Sequence, residues 1–229
     1  MSAFFGRGLT LLLIVFLIGC SPQIIKIDQS TRESLKQTSQ IKAIHYNPPD
    51  LLVPINQSLL MGFGAVGGAL AGLQAQSQAQ QMTKEYGLQD PAIRVKSTFL
   101  SSISKQLESN SLTSLEEPLK DDDLDKLRVK FQQDTVFDFM TKMWGISTVP
   151  FQGYHYVTYR ARARLIRFPE GKIVWQGACD VEDKDLARMP HWTEFVENNG
   201  ALLKEKLNKL ADSCANELVA QFSGKETLQ

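Results

Sequence analysis

Apolar residues follow different periods along this chain, and each period predicts an element. From Ser58 to Tyr86 proline is absent and Ala, Leu, Gln and Met dominate, which predicts one long helix. Asp90-Pro91 opens a second, to about Glu108, with Ile93, Phe99, Leu100, Ile103 and Leu107 apolar. Leu124, Leu127 and Phe131 recur at i, i+3, i+7 behind Asp121-Asp122-Asp123, whose charge suits a helix N-terminus. A strand through Leu127, Val129 and Phe131 is the alternative there. From Asp134 the period becomes two. Thr135, Phe137, Phe139, Thr141 and Met143 share one face of a strand ending near Trp144, and Val157, Tyr159, Ala161, Ala163 and Leu165 one face of the next. Pro169-Glu170-Gly171-Lys172 reads as a turn, and the chain returns through Ile173 to Cys179, with Ile173, Trp175 and Cys179 on one side. Leu203, Leu207, Leu210, Cys214 and Leu218 mark a closing helix from about Gly200 to Phe222.

Two stretches are less regular. Ser21 to Gln40 is polar without a sustained period, as a tether would be. Ile41 to Ile55 carries β-formers, but Pro48, Pro49 and Pro54 confine it to an edge strand or extended segment. The order predicts a single α+β domain over residues 41–223: a mainly antiparallel sheet with a β-hairpin at about 154–179, packed on one face by helices. These include a long Gly/Ala-rich helix and the C-terminal helix.

Ahead of this domain lies a different kind of pattern. Leu9 to Ile18 is apolar except for Thr10, and Arg7 is the only charge before Cys20. As helix the run reaches roughly 15 Å against the roughly 30 Å of a bilayer core, so it reads as a signal-peptide segment rather than a span. Leu17-Ile18-Gly19-Cys20 resembles the lipobox of bacterial lipoproteins. The resemblance implies that residues 1–19 are a signal peptide, that Cys20 carries acyl chains, and that residues 20–40 form a lipidated tether. Two or three acyl chains anchor stably where one does not. Ser21 is not the charged residue that would suggest retention at the inner membrane, so the implied address is the periplasmic face of the outer membrane. A plain secretory signal with Cys20 incidental is the alternative.

Composition narrows the rest. The chain's 229 residues carry 25 Lys+Arg against 25 Asp+Glu, so no overall basic field attracts nucleic acid. With 43% hydrophobic residues and Cys 3, the chain is neither disordered nor a disulfide-dense miniprotein. Once Cys20 is assigned to lipid, Cys179 and Cys214 remain, both on apolar faces. In an exported protein such a pair is expected as a disulfide, the alternative being two free buried thiols. Zinc would need further ligands, and no spacing supplies them, so no metal and no cofactor is expected.

Tyr156 to Cys179 (YVTYRARARLIRFPEGKIVWQGAC) resembles the strand–turn–strand of a loose group of bacterial envelope lipoproteins. The group includes the curli-secretion pore lipoprotein, the lipoprotein activators of peptidoglycan synthases and the N-terminal domain of the TolB translocation protein. The resemblance implies a small α/β docking or assembly module without catalysis.

Three further features are weighed. Gly62-Phe63-Gly64-Ala65-Val66-Gly67 matches G-x-G-x-x-G, but the strand, second strand and acid of a dinucleotide site are missing. Gly64, Gly68 and Gly72 at i, i+4, i+8 form a small-residue ridge instead, open to packing inside the monomer, to a second copy of the chain, or to the bilayer. Arg160, Arg162 and Arg164 lie opposite the apolar face of their strand. They form either a solvated face ion-paired to Asp134 or Asp138, or a surface for an anionic ligand or a partner's acidic face. His45, His155 and His191 are scattered, and no hydrolase or phosphate-binding motif accompanies them, so catalytic residues are expected to be absent. The expected function is a non-catalytic binding, scaffold or assembly lipoprotein with an envelope-protein partner. A pore-type oligomer built on the 62–73 helix and an envelope hydrolase with an unrecognised site are the competing readings.

Overall fold

The computed structural model describes residues 23–38, 40–55, 57–107, 112–149, 152–185 and 188–225, and the side chains within these except at 57–64. Helices are α1 (Gln29–Lys36), α2 (Gln57–Tyr86), α3 (Pro91–Leu107), α4 (Leu124–Phe131), α5 (Trp192–Val196) and α6 (Ala201–Ser223). Strands are β1 (Ile41–His45), β2 (Leu112–Ser114), β3 (Thr135–Thr148), β4 (His155–Arg167) and β5 (Lys172–Asp183). They make one five-stranded sheet in the order β2-β1-β3-β4-β5. β1 pairs parallel with both β2 and β3, while β3, β4 and β5 pair antiparallel, so the α+β domain is built on a mixed sheet.

The parallel pairing corrects the reading of β1 as an edge strand. Ile41, Ala43 and Ile44 are fully buried, and the prolines lie beyond His45, where the chain leaves the ladder. Proline forbids a central position only where an amide must donate to a neighbouring strand. Pro54 follows Leu52, which bridges Gly145 of β3 through two backbone hydrogen bonds of 2.8 Å. A side chain at Gly145, whose φ is +131°, would run into the Leu52 backbone.

The larger core joins the sheet to α1, α2, α3, α5 and α6. Phe99 of α3 is its centre, within 5.3–5.8 Å of the rings of Phe137, Phe139, Trp175 and Phe222. The expected face of β4 (Val157, Tyr159, Ala161, Ala163, Leu165) points into this core without exception. On β3 the expected alternation fails at its end. A bulge between Thr141 and Met143 puts Trp144 and Ile146 into the core and leaves Met143 half-buried outside it. A second bulge, opposite Leu165/Ile166, sends Ile173 to the other face, while Trp175 and Cys179 stay inward. An inserted residue flips every later side chain.

Helices on one face alone would leave the second face of the sheet wet, and here it is covered. Leu127 and Phe131 of α4 pack with Ile44, Tyr46, Val136, Ile166 and Phe168. Asp123 starts this helix, accepting from the amides of Asp125 and Lys126. The helix reading of this stretch holds and the strand alternative does not.

The stretch read as a tether contains α1. Asp28 caps it, accepting from the Thr31 amide at 2.7 Å, and Leu35 is fully buried in the main core. Arg32 donates to the Phe222 carbonyl and lies over the Phe222 ring, so α1 is fastened to the end of α6. A helix of about two turns carries too few periodic positions to stand out in sequence.

Candidate functional site

Cys20 lies outside the described residues. The described chain begins three residues later, at Gln23. Ile25 forms an antiparallel bridge with Gln176 of β5, with N–O distances of 2.9 and 3.0 Å, and the Gln176 side-chain amide donates to the Gln23 carbonyl. Only Ser21 and Pro22 separate Cys20 from Gln23. Extended chain covers at most about 3.5 Å per residue, so the sequence leaves a link of at most about 10 Å between Cys20 and Gln23.

Two positions farther along β5, Gln221 of α6 plugs the same edge. Its Nε2 donates to the Ala178 carbonyl at 2.8 Å, and its Oε1 accepts from the Ala178 amide at 3.1 Å. Between them Ile25 and Gln221 occupy backbone positions that an added strand would need. Cys179 and Cys214 form a disulfide with a Cα–Cα distance of 5.4 Å, fixing α6 to the neighbouring residue.

The three arginines of β4 separate. Arg160 donates to Asp180 Oδ1 at 2.7 Å, with both side chains about half exposed. Arg162 donates to Asp122 at 2.8 Å, and Arg164 embraces Asp138 through Nε and Nη2 at 2.5–3.2 Å. Asp138 is fully buried and also accepts from Tyr46 Oη at 2.7 Å. Burial opposes the Arg164 charge, yet Asp138 raises its pKa above the ordinary arginine value. Burial and then Asp138 push the Tyr46 phenol up, so it stays a donor. Asp134, the other expected partner, instead pairs with Lys42 at 2.7 Å. Two of the three guanidinium groups are therefore committed inside the molecule, with the acidic run before α4 closing over them. Arg160 faces water.

The ridge of Gly64, Gly68 and Gly72 is not the inner face of α2. Gly64 falls in the stretch without described side chains. Gly68 is half-buried, and nothing lies within 4 Å of where a Cβ on Gly72 would sit. The inner stripe runs one position earlier, through Gly67, Ala71, Ala79 and Met82, with Ala75 packed against the core. Beside it, a cavity of about 310 Å³ is lined by Pro54, Ile55, Ala71, Gln74, Ala75, Gln78, His155 and Trp192. His155 is packed, its Nδ1 3.2 Å from Thr148 Oγ1, and burial followed by His191 lowers its pKa. His191 precedes α5, where its amide donates to Glu194 at 2.8 Å. Among the described residues no three His, Cys, Asp or Glu side chains gather to hold a metal ion. Among them, too, no helix is long and apolar enough to cross a membrane.

Two buried polar clusters escaped sequence reasoning. Lys96 of α3 is 2% exposed; its ammonium donates to the Leu115 carbonyl at 2.6 Å and to His45 Nδ1 at 3.2 Å. An ammonium has no lone pair, so Nδ1 accepts and His45 is neutral. Burial lowers both pKa values. The signal was present: Lys96 sits on the same stripe as Ala92, Phe99 and Ile103. The second cluster holds Asp90, which caps α3 by accepting from the Ala92 amide at 2.9 Å, together with the hydroxyls of Thr141 and Tyr159. Both clusters tie a helix to the sheet.

No family model matches the chain, and no curated protein matches it. Solved structures share its layout loosely. Protein CT253 from Chlamydia trachomatis is 10% identical over 82% of this chain and 97% of that one, with a TM-score of 0.38. A PelC dodecamer from Paraburkholderia phytofirmans is 10% identical over 80% and 88%, at 0.34. Lipoprotein GNA1162 from Neisseria meningitidis is 16% identical over 76% and 99%, at 0.26. At such identities and scores the likeness carries no function to this chain.

Proposed function

We propose that this protein is a lipid-anchored module on the periplasmic face of the outer membrane. It binds another envelope component as a scaffold, assembly or accessory subunit, without catalysis of its own. The observation that carries the reading is the position of Cys20 in Leu17-Ile18-Gly19-Cys20, two residues ahead of a chain already bonded to β5. An acylated Cys20 would then hold a rigid domain against the membrane rather than on a long leash. The Cys179–Cys214 disulfide suits an oxidising compartment. The resemblance of Tyr156–Cys179 to docking modules of envelope lipoproteins points the same way.

Crosslinking in intact cells, followed by mass spectrometry of the crosslinked peptides, tests the partner. A recurrent envelope protein joined to residues of this domain is expected. Recovery of the domain alone, or turnover of an envelope polymer by the pure protein, would replace the reading.

A further inference from the structure

The outward face of α2 changes character along its length. Val66, Leu70 and Leu73, at i, i+4, i+7, are 67%, 52% and 65% exposed. The same stripe continues through Ser77, Gln80 and Gln81, all exposed, to Lys84. Among the described side chains its apolar part thus ends at Leu73, and there is no Asp, Glu, Lys or Arg between Asp50 and Lys84. A protein surface meant for water carries interspersed charge, and this one carries none.

The anchor approaches from the matching direction. Ile25 runs antiparallel to β5, so the described chain, which begins at Gln23, enters along that strand from its Asp183 side. That end pairs with the beginning of β4, where Val157 lies opposite Asp183. His155, at the start of β4, lines the cavity shared with Ala71, Gln74, Ala75 and Gln78 of α2. The side from which the described chain enters β5 and the middle of α2 therefore lie toward the same end of the sheet.

We propose that the Val66–Leu73 face of α2 lies against the bilayer and is covered by lipid acyl chains, orienting the domain on the membrane. This rests on the assignment of Cys20 as the lipid-modified residue. A helix lying in the interface buries its apolar face about 5–10 Å deep. The change from Leu73 to Ser77 marks where α2 leaves the acyl region for water. Because the face is uncharged, the docking depends on neither anionic lipid nor salt.

The full lipoprotein is purified as Leu70→Cys or Gln81→Cys and labelled with an environment-sensitive fluorophore. It is then placed in phosphatidylethanolamine–phosphatidylglycerol vesicles whose acyl chains carry nitroxide. At position 70 the emission is expected to shift to the blue and to be lost to the nitroxide, unchanged by added salt. At position 81 it stays as in water. Water-like, unquenched emission at position 70 overturns the proposal. So does a blue shift without quenching, accompanied by a disulfide between two copies when the Leu70→Cys protein is oxidised without the fluorophore, which would give the face to a second copy of this chain. Palmitate labelling of the same preparation reads Cys20 separately. A labelled chain with a water-like position 70 removes the docking alone, and an unlabelled chain with a quenched position 70 removes the acyl anchor and keeps the docking.

Discussion

Asp90 shows how one buried carboxyl writes a pH dependence into the fold. Its Oδ1 caps α3 and accepts from Thr141, while Oδ2 has no hydrogen-bond partner. Burial, the largest influence, raises its pKa above 3.8, and the Thr141 hydroxyl and Ala92 amide oppose that only in part. The folded state then keeps a proton that the unfolded chain has released, so stability falls as pH rises from 3.8 through the folded value and levels off above it. Asp90→Asn keeps the capping oxygen and cannot ionise. Urea unfolding is predicted to find this variant gaining on the parent as pH rises through that window. A gap that stays constant with pH would remove the explanation. Asp138 acts through its partners instead, accepting from Arg164 and from Tyr46. Asp138→Ala strands a buried guanidinium and should cost about 3–5 kcal/mol, whereas replacing Asp138 and Arg164 together by Leu and Met should cost far less than the sum of the single changes. Strict additivity would contradict a coupled pair.

At the scale of the element, α2 and α6 give opposite tests. Open space surrounds Gly72. Gly72→Ala is therefore predicted to stabilise the chain by about 0.5–1 kcal/mol, through helix propensity alone. A loss of stability or of an oligomer on thermal unfolding would show instead that the 64–68–72 ridge is a packed seam. In α6 the disulfide closes a separation of 35 residues. Cys214→Ser should lower stability by about 4 kcal/mol, seen as an earlier urea midpoint. The elements themselves were largely legible. The period-3.6 stretches gave α3 and α6, and the alternation gave β3, β4 and β5, because a helix or strand of that length repeats its buried face often enough to be counted; α2 was legible from its proline-free Ala, Leu, Gln and Met composition. What could not be read was whatever a single residue decides. The bulge at Lys142 turned Trp144 inward in place of Met143, and three-residue β2 and eight-residue α1 are too short to display a period. The prolines that follow β1 do not keep it at the sheet edge, because their effect depends on which amides the neighbouring strands need.

The same division holds for the candidate site. Cys179 and Cys214 were legible because both lie on strongly patterned apolar faces. The fates of Arg160, Arg162 and Arg164 were not, since Asp122 reaches Arg162 from across the sheet, 40 residues away. Lys96 and His45 meet across a separation of 51 residues, and only the fold brings them together.

For the molecule as a whole, the account depends on the covalent state of one sulfur. Only Ser21 and Pro22 lie between Cys20 and the first described residue, so on the proposed reading an acylated cysteine would keep the domain close to the bilayer. The most direct measurement is mass spectrometry of the N-terminal peptide from protein extracted from its native membrane. The account predicts a mature chain starting at Cys20 and heavier by a diacylglyceryl group and an N-acyl chain. A chain starting at any other residue, or Cys20 present with an unmodified thiol, would contradict it.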